Sequence, residues 1–176
     1  MPLIVRDATP ADVPAIASLY ADEVRDHVNT YEYDVPDEAE MARRMQAVLD
    51  AGYPYLVADL EGEFVGYAYA SSYRARAGYR KTVENSVYVV SGRQGQGIGA
   101  TLMQALIDAC ETRGYRQMIA VIGEPTNTAS IRLHEKFGFT LVGIFRGIAW
   151  KHDRWLDTVQ MQRTLGAGTT APPQDE

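Results

Sequence analysis

The stretch Gln94-Gly95-Gln96-Gly97-Ile98-Gly99-Ala100 decides how the whole chain is interpreted. It lies between a strand-like segment that ends at Val90 and a helical pattern that ends at Gly114. Glycines let successive backbone amides turn toward one point, and the first turn of a helix adds partial positive charge. Three alternate glycines exceed what an ordinary turn requires, so the stretch predicts a site for phosphate oxygens.

The same residues also fit the G-x-G-x-x-A pattern of dinucleotide-binding folds. Glu124 follows roughly 24 residues later, where an acid for the ribose could stand. Three observations disfavour that interpretation. Residues 91–94 separate the first glycine from its strand, the loop lies in the middle of the chain, and too little sequence follows Glu124 for further βαβ units. We therefore reject a dinucleotide site.

The periodicity on both sides of the loop predicts one mixed α/β domain without internal repeats. A helix is expected after the N-cap Thr9, and others over about 37–51, from the glycine loop to Gly114, and over 127–137. Strands are expected at 3–6, 55–60, 64–70, 82–90, 117–122, 139–150 and 154–163, and a disordered tail at 166–176. Along the strand 82–90, Glu84, Ser86 and Tyr88 share one face, while the valines share the other.

Composition excludes several classes of protein. The 176 residues are 46% hydrophobic and carry a net charge of −6, which disfavours nucleic acid and anionic membranes as partners. The single cysteine, Cys110, and the scattered His27, His134 and His152 form no metal-ligand pattern, so no metal is expected. Neither a signal peptide nor an apolar run of the ~18 residues that span a bilayer is evident. A cytoplasmic location is expected.

Two motifs resemble those of the GNAT acyl-CoA-dependent N-acetyltransferases. The segment from Gln94 to Ala100 resembles the coenzyme loop Q/R-x-x-G-x-G/A of that family. The segment from Asn127 to Phe139 resembles its second signature, N-x-x-A-x-x-L-Y-x-x-x-G-F, with His134 where most members have Tyr. The likeness extends from about Ile4 to Leu165.

Within the family, the chain is most similar to the phosphinothricin and methionine sulfoximine acetyltransferases. The similar segments are 73–76, 79–89, 132–135 and 147–155, and a His in place of the Tyr is itself typical of this subgroup. The resemblance implies a mixed, mostly antiparallel twisted sheet of about seven strands flanked by about four helices. It also implies acetyl-CoA as co-substrate and a homodimer.

The resemblance assigns coenzyme contacts to three parts of the chain. Backbone groups of Val87, Tyr88 and Val89 would meet the pantetheine arm and the thioester oxygen. Asn127, which caps a helix on any interpretation, would contact the coenzyme. The pyrophosphate would lie on the glycine loop, through Gly95, Gln96, Gly97, Ile98, Gly99 and Ala100.

Acetyl transfer requires a deprotonated amine, and amines of pKa about 8–10 are mostly protonated near neutral pH. Glu84 is the candidate base, acting directly or through a water. On its own, a carboxylate at the start of a strand is more often simply solvated, and the family likeness reverses that preference. His134 occupies the position of the family's general acid, although a lone helical His is often structural. No cysteine lies near the motifs, so the amine is expected to attack directly in a ternary complex.

Arginines crowd the segment before this strand, and guanidinium groups suit the oxygens of a small anionic amino acid. An acceptor site is expected to comprise Arg74, Ala75, Arg76, Tyr79, Glu84, Asn85 and Ser86. The expected substrate is the α-amine of a glutamate-like analogue. A protein N-terminus or other amine as acceptor, and a catalytically silent acyl-CoA sensor, remain alternatives.

Overall fold

A computed structural model describes residues 2–174 of the chain, which contain seven strands and four α-helices. The helices are α1 (Val13–Asp26), α2 (Glu38–Asp50), α3 (Ile98–Thr112) and α4 (Thr128–Lys136). The strands are β1 (Leu3–Asp7), β2 (Tyr55–Leu60), β3 (Glu63–Ser72), β4 (Thr82–Val89), β5 (Gln117–Ile122), β6 (Thr140–Lys151) and β7 (Arg154–Thr164). The predicted fold class and the predicted elements are confirmed.

The strands form a single sheet in the order β1-β2-β3-β4-β5-β7-β6. Neighbouring strands are antiparallel except β4 and β5, which are parallel. These two strands pair only over Thr82–Glu84 and Gln117–Ile119. Beyond that point β4 continues beside β3 to Val89, and β5 continues beside β7 to Ile122. The sheet therefore opens into a gap between β4 and β5.

Helix starts follow local signals in the sequence. Asp37 caps α2, because its carboxylate accepts a hydrogen bond of 2.8 Å from the amide of Glu40. Asn127 caps α4 in the same way through the amide of Ser130, at 3.2 Å. Such caps satisfy amides that have no partner within the helix. Both helix starts were predicted within one residue.

Two apolar cores lie on opposite faces of the sheet. One packs against α3, and Val83, Val87 and Val89 of β4 contribute to it. The other lies under α1 and α2 and contains a group of ring contacts in which Tyr88 meets Tyr20 and Tyr67, with centroids 5.9 and 5.0 Å apart. The alternation along β4 is thus confirmed, and it fixes which side chains of this strand can reach the gap.

The segment after β7 is held by one arginine. Arg116 donates hydrogen bonds to the carbonyls of Gly168 (2.9 Å), Ala171 (3.3 Å) and Pro172 (3.2 Å). The expected disordered tail therefore begins with residues that contact the domain, and its disorder stays a prediction. Residues 175 and 176 lie outside the described residues.

Candidate active site

The gap between β4 and β5 opens into a cleft of about 620 Å³. Its walls come from β4, from the loop before α3, from the end of β5 and from α4. Most of the residues predicted to act in catalysis or to bind the coenzyme line it, together with Asn85 and Ser86 of the predicted acceptor site. The others are Glu84, Val87, Tyr88, Val89, Gly95, Gly97, Ile98, Gly99, Ala100, Asn127 and His134. The parallel pair that ends at Glu84 and Ile119 creates the space in which they meet.

Some predicted residues lie outside the cleft. Gln96 is exposed and does not line the cleft. Arg74, Ala75, Arg76 and Tyr79 are also exposed and absent from its walls. The guanidinium of Arg74 lies over the ring of Tyr79, 5.8 Å from its centroid. Their part in acceptor binding stays a prediction.

The glycine loop presents the start of α3 to the cleft. Gly97 is the N-cap of α3 and has φ = 82°, a left-handed conformation that glycine adopts without strain. Its carbonyl accepts the first hydrogen bond of the helix, 2.9 Å from the amide of Thr101. The amides of residues 98–100 have no partner within the helix, and these residues line the cleft, so the amides are available there as donors. This arrangement suits phosphate oxygens.

Backbone groups of β4 divide between β3 and the gap. The amide of Val90 bonds to the carbonyl of Val65, next to β3. Because backbone groups alternate in direction along a strand, Tyr88 also turns its backbone toward β3, and Val87 and Val89 turn theirs toward the gap. Of the three residues predicted to contact the pantetheine, Val87 and Val89 therefore offer backbone groups that have no partner strand within residues 2–174.

Glu84 lies where β4 and β5 separate, with its side chain half-buried in the cleft. Burial raises the pKa of its carboxyl above the ordinary value. Within residues 2–174, no side-chain ion pair or hydrogen bond of this carboxylate is found, and burial alone accounts for the shift. A desolvated and unpaired carboxylate has the properties of a general base for work near neutral pH.

His134 is 6% exposed, and both of its ring nitrogens are engaged. Nδ1 lies 2.7 Å from the carbonyl of Ser130, which can only accept, so Nδ1 carries the proton. Nε2 accepts a hydrogen bond of 3.0 Å from the side-chain amide of Asn85. Burial lowers the pKa of the imidazole, and the Ser130 carbonyl opposes that shift. The ring is therefore neutral in this arrangement, and the expectation that it donates a proton stays a prediction.

The family model of the acetyltransferase (GNAT) domain matches residues 5–160 of the chain. The chain belongs to the GNAT acetyltransferases. A phosphinothricin N-acetyltransferase of Alcaligenes faecalis is 47% identical to this acetyltransferase, over 97% of the present chain and 85% of the relative. An L-methionine sulfoximine/L-methionine sulfone acetyltransferase of Pseudomonas paraeruginosa is 40% identical, over 96% and 98% of the two chains.

Among solved structures, a phosphinothricin acetyltransferase of Sinorhizobium meliloti in complex with acetyl-CoA superposes on this acetyltransferase with a TM-score of 0.95. The two chains are 46% identical, and the match covers 99% of this chain and 95% of the other. The predicted family, enzyme class and fold are confirmed.

Sequence reasoning missed one wall of the acetyltransferase's cleft. This wall is formed by α1, by β3 and by the loop between α1 and α2. Its residues are Tyr20, Glu23, Asn29, Thr30, Tyr31 and Tyr69. The loop from Val28 to Asp37 has no periodicity, and only its polar and aromatic composition hinted at a binding surface. The contacts that place it there come from residues about 100 positions away.

Two structural findings bear on the expected partners of the acetyltransferase. In the described part of the chain, no helix has the length and apolar character needed to cross a membrane. Over the same residues, no three His, Cys, Asp or Glu side chains cluster so as to hold a metal ion.

Proposed function

We propose that the protein transfers the acetyl group of acetyl-CoA to the α-amine of a small, glutamate-like amino acid analogue, such as phosphinothricin or methionine sulfoximine. The observation that carries the proposal is the half-buried, unpaired carboxylate of Glu84 in the same cleft as the glycine loop. The relatives named above act on these two analogues, and the Sinorhizobium protein was crystallised with acetyl-CoA.

Acetyl-CoA would bind across the gap between β4 and β5. Its pyrophosphate would accept hydrogen bonds from the amides around Gly97 and from the first turn of α3. Its pantetheine arm would pair with the backbone of Val87 and Val89, as an added strand pairs with a sheet edge. Asn127, at the start of α4, lines the same space and would contact the coenzyme.

The reaction would proceed by direct attack in a ternary complex. Glu84 takes a proton from the ammonium group of the acceptor, directly or through a water, and the neutral amine attacks the thioester carbon. The carbon–sulfur bond then breaks, the attacking nitrogen loses its second proton to solvent as the amide forms, and the thiolate of coenzyme A takes up a proton. His134 is the proposed donor of that proton, and for this role its ring would have to release the Nδ1 proton that it donates to the Ser130 carbonyl or first take up a second proton on Nε2. Full activity in a His134→Gln variant would exclude it.

The preference for an anionic acceptor rests on the segment between β3 and β4. Ser71 pairs with Glu84, and Tyr73 bonds to Thr82, so the segment that follows lies at the Glu84 end of the cleft. Arg74 and Arg76 are exposed there, close to where an acceptor would enter. Guanidinium groups recognise carboxylate and phosphinate oxygens in two-point contacts.

The proposal is tested by thiol release from acetyl-CoA with a panel of acceptors. The panel contains phosphinothricin, methionine sulfoximine, ordinary amino acids, polyamines and peptides with free N-termini. We expect the largest kcat/KM with the two analogues. An Arg74→Gln, Arg76→Gln double variant should lose activity toward them mainly through a higher KM.

Two outcomes would favour the alternatives. Activity with peptides alone would assign the enzyme to protein N-termini. Binding of acetyl-CoA with no thiol release for any amine would indicate a silent sensor, the reading that the free carboxylate of Glu84 argues against.

A homodimer is proposed from the exposed edge of the sheet. β6 is an outermost strand of twelve residues, and its edge backbone groups lack a partner strand within the described chain. Its side chains Leu141, Val142, Phe145 and Ile148 are each more than half exposed. A long apolar edge strand is normally covered, and an isologous contact between two copies of this chain would cover both edges at once.

The remaining predictions concern the cell. A cytoplasmic location and the absence of nucleic-acid and membrane partners rest on the net charge of −6 and on composition. They stay predictions.

A further inference from the structure

The segment from His27 to Tyr33, here called the strap, crosses from α1 over the end of the cleft. Three side chains attach it to β6, to β7 and to the end of β5. The ammonium of Lys151 donates to the carbonyls of His27 (2.8 Å) and Thr30 (2.7 Å). The hydroxyl of Tyr31 bonds to the carbonyl of Gly123 (3.0 Å) and to Thr158 (2.7 Å), and that of Tyr33 donates to the carbonyl of Trp150.

The strap also forms part of the cleft. Asn29, Thr30 and Tyr31 line it. The side chain of Asn29 donates a hydrogen bond to the carboxylate of Glu23 (2.6 Å) and accepts one from the side-chain amide of Asn127 (3.0 Å). The strap thus joins α1 to the start of α4, where coenzyme contact is proposed, and a shift of the strap would change the shape of the space left for the acceptor.

Lys151 is placed unusually for a lysine. It is only 4% exposed, and it does not line the cleft itself. A buried ammonium is costly unless its donors are satisfied, and here two of them hold carbonyls of the strap. Replacing it would leave both carbonyls without that partner, and the strap would lose its attachment to β6 through this side chain.

The strap fits closely against the end of β5. A Cβ atom at Gly123 would lie 1.9 Å from the carbonyl oxygen of Val28. A glycine is therefore required for the strap to lie as it does. The hydrogen bonds of Lys151 and the close contact between Gly123 and Val28 therefore both hold the strap in one position.

We propose that Lys151 is a positioning residue for acceptor binding, because it fixes the strap that forms one wall of the acceptor site. This rests on the proposed function only for the identity of the acceptor. Most of the proposed coenzyme contacts lie on β4 and at the start of α3, and Asn127 alone among them is bonded to the strap, so we expect the larger effect of Lys151 on the acceptor.

The test compares Lys151→Met with Lys136→Met, which removes the same charge from an exposed position of α4. We expect Lys151→Met to raise the KM for the acceptor roughly tenfold or more, with the KM for acetyl-CoA changed by less than about twofold. Cleavage by chymotrypsin after Tyr31 and Tyr33, mapped by mass spectrometry, should become several-fold faster. Lys136→Met should match the unaltered protein in all three measurements.

The proposal would be overturned if Lys151→Met raised the KM for the acceptor and the KM for acetyl-CoA equally. It would also be overturned if chymotrypsin cleaved the strap of this variant no faster than that of the unaltered protein. Tyr33→Phe serves as a second variant if Lys151→Met does not fold, because Tyr33 is exposed and loses only its hydrogen bond. Tyr33→Phe should also raise the KM for the acceptor. An unchanged KM would contradict the proposal that the position of the strap controls acceptor binding. If the unaltered enzyme acetylates no amino acid analogue, the proposed function fails, and the cleavage rates alone decide whether Lys151 holds the strap.

Discussion

Glu84 shows how one position acquires a chemical role from its surroundings. At the start of a strand a glutamate is ordinarily hydrated. Here β5 leaves β4 just beyond Ile119, and the carboxylate lies at the mouth of the space that results. Burial without a cationic partner raises its pKa, so the carboxyl holds its proton to a higher pH than an ordinary glutamate, and the base is lost below that raised pKa.

A Glu84→Gln variant should lose about 10²–10⁴-fold in kcat/KM near neutral pH, the usual contribution of a positioned base. In the unaltered enzyme, kcat/KM should fall as the pH drops through the raised pKa of Glu84. The difference in kcat/KM between Glu84→Gln and the unaltered enzyme should shrink at high pH, because the acceptor amine there loses its proton to solvent and needs no base. Steady-state rates from acid to alkaline pH measure both effects.

Thermal unfolding is the control for that variant. A carboxyl with a raised pKa is less favourable as an anion in the folded state than in the unfolded chain, so its contribution to stability worsens above its unfolded pKa. Glu84→Gln should therefore be at least as stable as the unaltered protein at neutral pH. A lower melting temperature together with the lost activity would point to misfolding, and an unchanged rate would remove Glu84 as the base.

Residue types could be predicted at the site, but their hydrogen bonds could not. The sequence places Asn85 one position after the base and His134 in a helix 49 residues later, and nothing in it indicates that the two side chains bond. That contact depends on how α4 packs beside β4. The role of Lys151 was invisible for the same reason, since its partners lie more than 120 residues away.

At the scale of elements, β4 was the most predictable part of the site. Period-two alternation alone separated Val83, Val87 and Val89 from Tyr88, and the two cores bear this out. The gap beside it could not be predicted, because the length of a strand pair is set by the sheet and not by either strand. The strap was missed because it has no periodicity at all.

The loop before α3 allows a controlled test of the phosphate site. Gly97 and Gly92 have nearly the same left-handed φ, 82° and 81°, and an added Cβ would meet no atom within 4 Å at either position. Alanine should therefore cost similar backbone strain at both, about 1 kcal/mol. Of these two glycines, Gly97 lines the cleft and Gly92 does not.

We expect Gly97→Ala to raise the KM for acetyl-CoA by at least about fivefold, while Gly92→Ala leaves it nearly unchanged. Melting temperatures should fall by similar amounts, and calorimetric titration with coenzyme A would measure affinity directly. Equal affinities in the two variants would show that the loop does not hold the coenzyme.

For the whole molecule, the order of elements sufficed to predict the fold class, since each helix and strand carries its own pattern. It did not indicate which strand would be left at an edge. The apolar side chains of β6 look like core residues in the sequence, and only their place at the end of the sheet shows that they are exposed.

The proposed dimer predicts a specific sensitivity at that edge. Leu141→Lys should weaken self-association at least tenfold, measured by analytical ultracentrifugation against the monomer mass of 19.5 kDa. Ile4→Lys is the matched control, because Ile4 is 53% exposed on β1, the opposite edge of the same sheet. Monomers in the unaltered protein, or dissociation by the control alone, would contradict an interface at β6.

The short pairing of β4 with β5 has a consequence for how long the protein survives in a cell. Two half-sheets share only three residue pairs, and a bound coenzyme would lie between them. Thermodynamic linkage then makes the stability of the fold depend on coenzyme concentration, by about 2.7 kcal/mol at a hundredfold excess over Kd. Turnover of the protein by proteases would in this way follow the metabolic supply of acetyl-CoA, with the enzyme persisting when its co-substrate is plentiful.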